Sequence, residues 1–542
     1  MREERFVAEA LLLASLLGLA LLAPIAPILG EAAAYVPRPP IVVDGNGAFV
    51  GNNGVTGGAG TASDPFVIEG WDIDASAASG ITIRNTDAPF VIRSLTVHGI
   101  ENYSMNGIEL SGVANGRVEN VTVSNVWFGI VSDRSANITL ARNNISSNAA
   151  DGIVVYLSSR VTVAHNNVSF NAQEGIRVDG SSYTVFSGNR VDSNGGDGIE
   201  VDGADRVVAT DNQASNNGDG ISFAGVTNGT AVGNTVLNGA YGIRLWQSRG
   251  VVLGSNNLSS NGEGIRVGGS TNVTLTRNYV SLNTYNGVQF VGSSDSIIKE
   301  NDITSNGDGP SVYGAGIRLD SSARILVYNN NLLGNAVQAV DDGGSGNLWD
   351  GGYPAGGNRW SDYSGPDLCS GLGQDVCPNP DGVGDVAYIV DSDTRDRYPL
   401  MGLYVPTNAP PTATFDLFPS SAIVTTVFTA DASASWDLED AAEMLQVRWD
   451  WEDDGTWDTA WSTTRVAHHP YSVPGSYVVR MEVRDTGGLT NSTMREVEVL
   501  PGPVEPPRPL DLLTLGLLAL APLVAAAIIV YLSARRRRRS PR

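Results

Sequence analysis

Arg177, Asp179, Glu200 and Asp202 are the residues of this 542-residue chain whose types and spacing best suit chemistry. They fill equivalent positions, 23 apart, in Gly-Ile-Arg-Val-Asp and Gly-Ile-Glu-Val-Asp. Carboxylates set one strand spacing apart raise each other's pKa or share a hard cation, and a pair about 5 to 9.5 Å apart suits acid–base work on a glycosidic bond. The same two positions of neighbouring copies hold Tyr156, Arg244, Trp246 and Arg266. Guanidinium, carboxylate and aromatic groups together hydrogen-bond hydroxyls and stack on rings. The plain alternative is a solvated strand face with ordinary charge alternation.

A second acidic column, Asp151, Glu174, Asp197, Asp219 and Glu263, precedes the glycines and is expected at solvated turns. Asp381, Asp385, Asp391 and Asp393 are spaced like a Ca²⁺ loop without a full EF-hand pattern. Ca²⁺ is the one cofactor these carboxylates suggest. Four histidines and two cysteines are too few for the usual zinc, copper or iron–sulfur centres, and a formal charge of −24 opposes nucleic-acid binding. Cys369 and Cys377, eight apart among Gly and Pro, suit a local disulfide in an oxidising compartment.

The element that positions these residues is a repeat. Gly-Ile or Gly-Val pairs recur from Gly107 to Gly287 every 22 or 23 residues, and the next interval, to Gly316, is 29. Each copy holds three short alternating stretches separated by Gly, Asn, Asp and Ser, which leaves no room for a helix. The expectation is an all-β right-handed parallel β-helix of 11 to 12 coils over residues 41–340, with the glycines turning the chain. Two asparagine columns, Asn120 to Asn330 and Asn125 to Asn335, read as stacked-amide turn ladders, with ligand contacts as the alternative. The extra residues of the long interval, Asp308 to Tyr313, read as a loop walling the binding face.

Repeats such as GIRVDGSSYTVFSGNRVDSNGGDGIEV resemble those of the NosD-like, carbohydrate-binding and sugar-hydrolase (CASH) β-helix proteins. The segment from GGNRWSDYSGPD to DGVGDVAYIVDSDTRDRYPL resembles the closing segment of such helices in archaeal surface proteins. It implies a cap over residues 341–405, covered by Trp349, Trp360 and Tyr363. The family's copper role does not transfer, because His98, His165, His468 and His469 form no ligand cluster. Residues 408–500, with Trp449, Trp451 and a turn at Pro474-Gly475, resemble a PKD repeat, an immunoglobulin-like sandwich.

The ends suggest a location. Residues 1–34 read as a secretory signal, or else an uncleaved anchor. Residues 501–509 form a proline-rich stalk, 510–533 a transmembrane helix and 534–542 a basic cytoplasmic tail; a processed, replaced anchor would look similar. Asn137, Asn228, Asn272 and Asn491 are glycosylation candidates outside the ladders. Together these features predict a membrane-anchored protein, its ectodomain outside the cell, binding polysaccharide or glycoprotein without catalysis. A cell-surface polysaccharide lyase or glycoside hydrolase is the alternative, with Arg177, Asp179, Glu200 and Asp202 as its catalytic set.

Overall fold

The computed structural model describes residues 35–100, 105–308, 314–424, 426–502 and 524–535. Two compact units divide the chain, Met1–Thr407 and Asn408–Arg542.

The first unit is a parallel β-helix of about 12 coils. One coil consists of Ile176–Asp179, Ser182–Ser187 and Arg190–Asp192, and each strand pairs in parallel with its counterpart one coil on. Period-2 alternation sends Ile176 and Val178 into the core and Arg177 and Asp179 outward. Phe186, Phe223 and Phe290 fill the interior at three levels.

The repeat glycine acts through packing rather than turning. At Gly175 the backbone is not left-handed, and a Cβ would lie 2.3 Å from Val191 Cγ1 and 2.7 Å from the Gly198 carbonyl oxygen. Any side chain would push the coils apart.

The asparagine ladder runs from Asn143 through Asn166, Asn189, Asn212, Asn234, Asn256, Asn278 and Asn301 to Asn330. Each Nδ2 donates to the next Oδ1 at 2.8–3.0 Å. It then continues unexpectedly to Asn358 in the cap at 2.9 Å. Asn120 and Asn125 are not rungs. The register puts Val121 and Val126 there, their N–H groups donating to Asn143 and Asn148, while Asn120 and Asn125 are exposed in left-handed backbone. A third ladder, of serines, includes Ser135, Ser158 and Ser181: the Ser135 N–H donates to Ser158 Oγ and the Ser158 N–H to Ser181 Oγ, both at 3.0 Å.

Trp349 and Trp360 close the solenoid, with Tyr388 stacked on Trp360 at 4.0 Å and Tyr363 packed alongside. Cys369 and Cys377 are disulfide-bonded within this cap. Of the six-residue insertion only Asp308 lies within the described residues.

The second unit contains a sandwich of a three-stranded sheet and a four-stranded sheet. Its core stacks Trp449 on Trp451 at 5.4 Å over buried Val479, Met481 and Val483. Residues 524–535 are helical, and no described helix is long and apolar enough to cross a membrane. Residues 510–523 of the expected span, the expected signal at 1–34 and residues 536–542 of the tail lie outside the described residues.

Candidate functional site

The first strands of successive coils form one continuous outer face. On it Arg177 is in register with Glu200 and Asp179 with Asp202, while Tyr156 precedes Asp179 in its column. Arg244 and Arg266 are likewise adjacent, and Trp246 lies beside Gly268 in the next coil. All eight residues expected to bind therefore share this face. Trp246 is 50% exposed and Tyr156 is 38% exposed, with the Arg134 guanidinium 5.9 Å from the Tyr156 ring centroid.

The acidic column in the preceding turn departs from expectation at three of its five members: Asp151, Asp219 and Glu263 are buried, 0%, 5% and 9% exposed, while Glu174 and Asp197 are half-buried. Asp151 sits two residues before Ile153 and four before Val155, on the parity of the inward-facing side chains, and an arginine from the strand side folds over it. Arg177 Nε lies 2.9 Å from Asp151 Oδ2. Arg244 Nε lies 2.8 Å from Asp219 Oδ2, and its Nη2 lies 3.7 Å from Asp197 Oδ2. Arg266 Nη1 lies 3.3 Å from Glu263 Oε2. Parity points these acids inward, but half-buried Glu174 and Asp197 share it, so parity alone does not mark the buried ones.

Burial pushes the Asp151 carboxyl up to about 7, with Glu174 adding to the shift. Burial, then the Asp197 charge, raises Asp219 to about 6. Asp197, Glu200 and Glu263 are raised as well, each chiefly by burial. Groups poised near neutrality can hold or pass a proton, and such groups gather at functional sites. Asp219 donates its backbone N–H to Asp197 Oδ1 at 2.8 Å, which fixes the two carboxylates on adjacent coils.

The carboxylates expected to hold Ca²⁺ do not converge. Asp385 accepts the Leu368 and Cys369 N–H groups, Asp391 those of Asp393 and Thr394, and Asp381 that of Val383; Asp393 is exposed. Asp381 and Asp391 shape their own turns, and Asp385 ties its segment to that of Leu368 and Cys369. Among the described residues, the acids whose oxygens come within 4.8 Å of one another as a group of three are Asp450, Glu452 and Asp458 in the sandwich. Asp450 and Asp458 already accept the N–H groups of Asp454, Gly455 and Trp451. Asn228, Asn272 and Asn491 are exposed, whereas Asn137 is half-buried with its Nδ2 donating to Asn115 Oδ1.

Three family models match the chain: periplasmic copper-binding protein (NosD) over residues 193–365, right handed beta helix region over 79–235, and PKD domain over 408–499. No curated protein matches. Similar solved structures include the A-module of the Azotobacter vinelandii mannuronan C-5 epimerase AlgE6, 18% identical over 58% of this chain and 90% of that one, TM-score 0.40. The periplasmic alginate epimerase AlgG is 17% identical over 51% of this chain and 76% of that one, TM-score 0.33. The PKD1 domain of Vibrio anguillarum Epp is 25% identical over 18% of this chain and all of that one, TM-score 0.14. The residues present do not fit a copper centre: His98 sits beside Asp72, His468 beside Thr429, His469 stacks on Trp451, and both cysteines are oxidised.

Proposed function

We propose that this right-handed β-helix, followed by its PKD domain, binds carbohydrate or glycoprotein along the face of first strands, as a non-catalytic adhesive or surface-layer element. Trp246 carries the reading. A Cβ at Gly268 would lie 2.5 Å from the six-membered ring of Trp246, so the absent side chain lets the indole lie over the neighbouring coil with half its surface open. An aromatic backed on one side and flanked by Arg244 can stack a sugar ring while the guanidinium bonds its hydroxyls.

The test is a glycan array with the full chain, followed by titration of any bound glycan. Trp246→Ala should weaken binding about tenfold, the loss expected of an aromatic anchor. Unchanged affinity in both Trp246→Ala and Arg244→Ala removes the proposed face.

A lyase or hydrolase acting on the same face is the second reading, favoured by Asp219 at about 6 beside Asp197 under one guanidinium. Product analysis with and without Ca²⁺ decides it, since a bound glycan that stays intact under both conditions eliminates catalysis. The same proposal sets the β-helix outside the cell with residues 510–533 in the membrane. Protease treatment of intact cells should then release β-helix fragments, and complete protection would refute that location.

A further inference from the structure

Further along the same face lies a cleft of about 420 Å³ with a different charge balance. Arg266, Gln289 and Arg318 occupy one column on three consecutive coils, so the two arginines stand two strand spacings apart, roughly 10 Å between backbones. Gln289, only 9% exposed, ties them together. Its Oε1 accepts from Arg266 Nη1 at 2.7 Å, and its Nε2 donates to Asp320 Oδ2 at 2.6 Å. That carboxylate oxygen also accepts from Arg318 Nε at 3.0 Å. Glu263 steadies Arg266 from behind at 3.3 Å.

One bonded chain thus holds both guanidinium groups in place before any ligand arrives, which lowers the ordering cost of binding. Among the described residues, Arg266 Nε and Nη2 and Arg318 Nη1 make no hydrogen bond to the protein. Tyr285, 43% exposed, supplies an aromatic wall. Two arginines here face Glu263, Asp320 and Asp342, whose Oδ2 lies 3.7 Å from Arg318 Nη2. In the coils before them, Asp151, Glu174, Asp197, Glu200 and Asp219 face only Arg177 and Arg244. Two arginines against three acids here, compared with two against five there, make this cleft the less repulsive of the two stretches for an anion on the face.

We propose that the cleft between Arg266 and Arg318 takes one anionic sugar unit, carboxylated or sulfated, of the glycan lying along this face. The inference rests on the glycan-binding reading above. Calorimetric titration of the full chain with three oligosaccharides of equal length, one polyuronate, one sulfated and one neutral, tests it. At least one anionic probe should bind about tenfold more tightly than the neutral one, and which one does names the anion. That advantage should vanish in Arg266→Gln and Arg318→Gln, persist in Arg318→Lys, and shrink with added salt. Equal binding of all three, or an advantage that survives both glutamine variants with unchanged melting temperatures, overturns the proposal. Neutral binding that depends on Trp246 without any anionic advantage defeats this inference alone, and no binding by any of the three probes defeats both readings.

Discussion

The asparagine ladder and the carboxylate column are both stacks of one polar side chain per coil, set at the same spacing in the same solenoid. Their chemistry separates them. A carboxamide carries a donor and an acceptor, so identical neighbours complete each other and the stack runs unbroken from Asn143 to Asn358. An ionised carboxylate only accepts, so each new member worsens the position of the last. The acid column accordingly breaks at Tyr241, leans on Arg177, Arg244 and Arg266, and holds its protons to higher pH. A stack that supports itself is scaffold. One that must be supported from outside is where function is to be sought.

Breaking the amide stack should have the largest effect. Asn212 accepts from both the backbone and the side-chain nitrogen of Asn189, and donates to Phe186 O and Asn234 Oδ1. Asn212→Ala strands these buried partners and should cost about 3–5 kcal/mol in denaturant unfolding. A loss under about 1 kcal/mol would mean the ladder is ornamental.

The acid column should show the opposite sensitivity, to pH. The folded-state pKa values of Asp151 and Asp219, about 7 and about 6, lie above the value of about 3.8 in the unfolded chain. Below 3.8 both states hold the proton; above it the unfolded chain releases it first. Stability is therefore lost progressively as pH rises from about 3.8 to the folded-state values and levels off above them, with about 1–3 kcal/mol of the loss falling between pH 5.5 and 8. The melting temperature should be higher at pH 5.5 than at pH 8. Asp219→Asn should flatten that slope, whereas the exposed Asp393→Asn should not. A slope equal in both variants would trace the effect to net charge instead.

What the sequence made legible follows the same division. Periodicity located the coils, the alternating strands and the inward Ile176 and Val178, because burial there repeats with backbone period. It misplaced the first rungs by one residue, since Asn120 and Asn125 match the ladder in type but not in register. It placed Arg177, Glu200, Arg244 and Trp246 on one face, yet read Asp151 and Asp219 as solvated. Their burial depends on which arginine from another coil lies over them, a lateral contact that no single repeat encodes. Asp381, Asp385, Asp391 and Asp393 stay apart for a related reason: spacing alone cannot tell carboxylates that point together from those that bind backbone N–H groups separately.

Asp396 is where the two kinds of stack meet, and there the expected effect is smallest. It closes the asparagine ladder with a carboxylate, accepting from Asn358 N–H at 2.7 Å, Trp360 Nε1 at 2.8 Å and Tyr398 N–H at 3.0 Å. Burial pushes it up to about 7. Asn at this position keeps one acceptor for Asn358 and Trp360 but turns an N–H group toward that of Tyr398, a mismatch worth about 1 kcal/mol. At pH 5.5 the wild-type carboxyl is protonated and avoids a buried charge, so Asp396→Asn should be slightly destabilising. As pH rises through 7 the wild type must ionise and loses stability while the variant does not, so the gap should close or reverse by pH 8. A gap that instead widens with pH would mean that the ionised form is what the cap prefers, and that an acid can serve as a ladder's end though not as its rung.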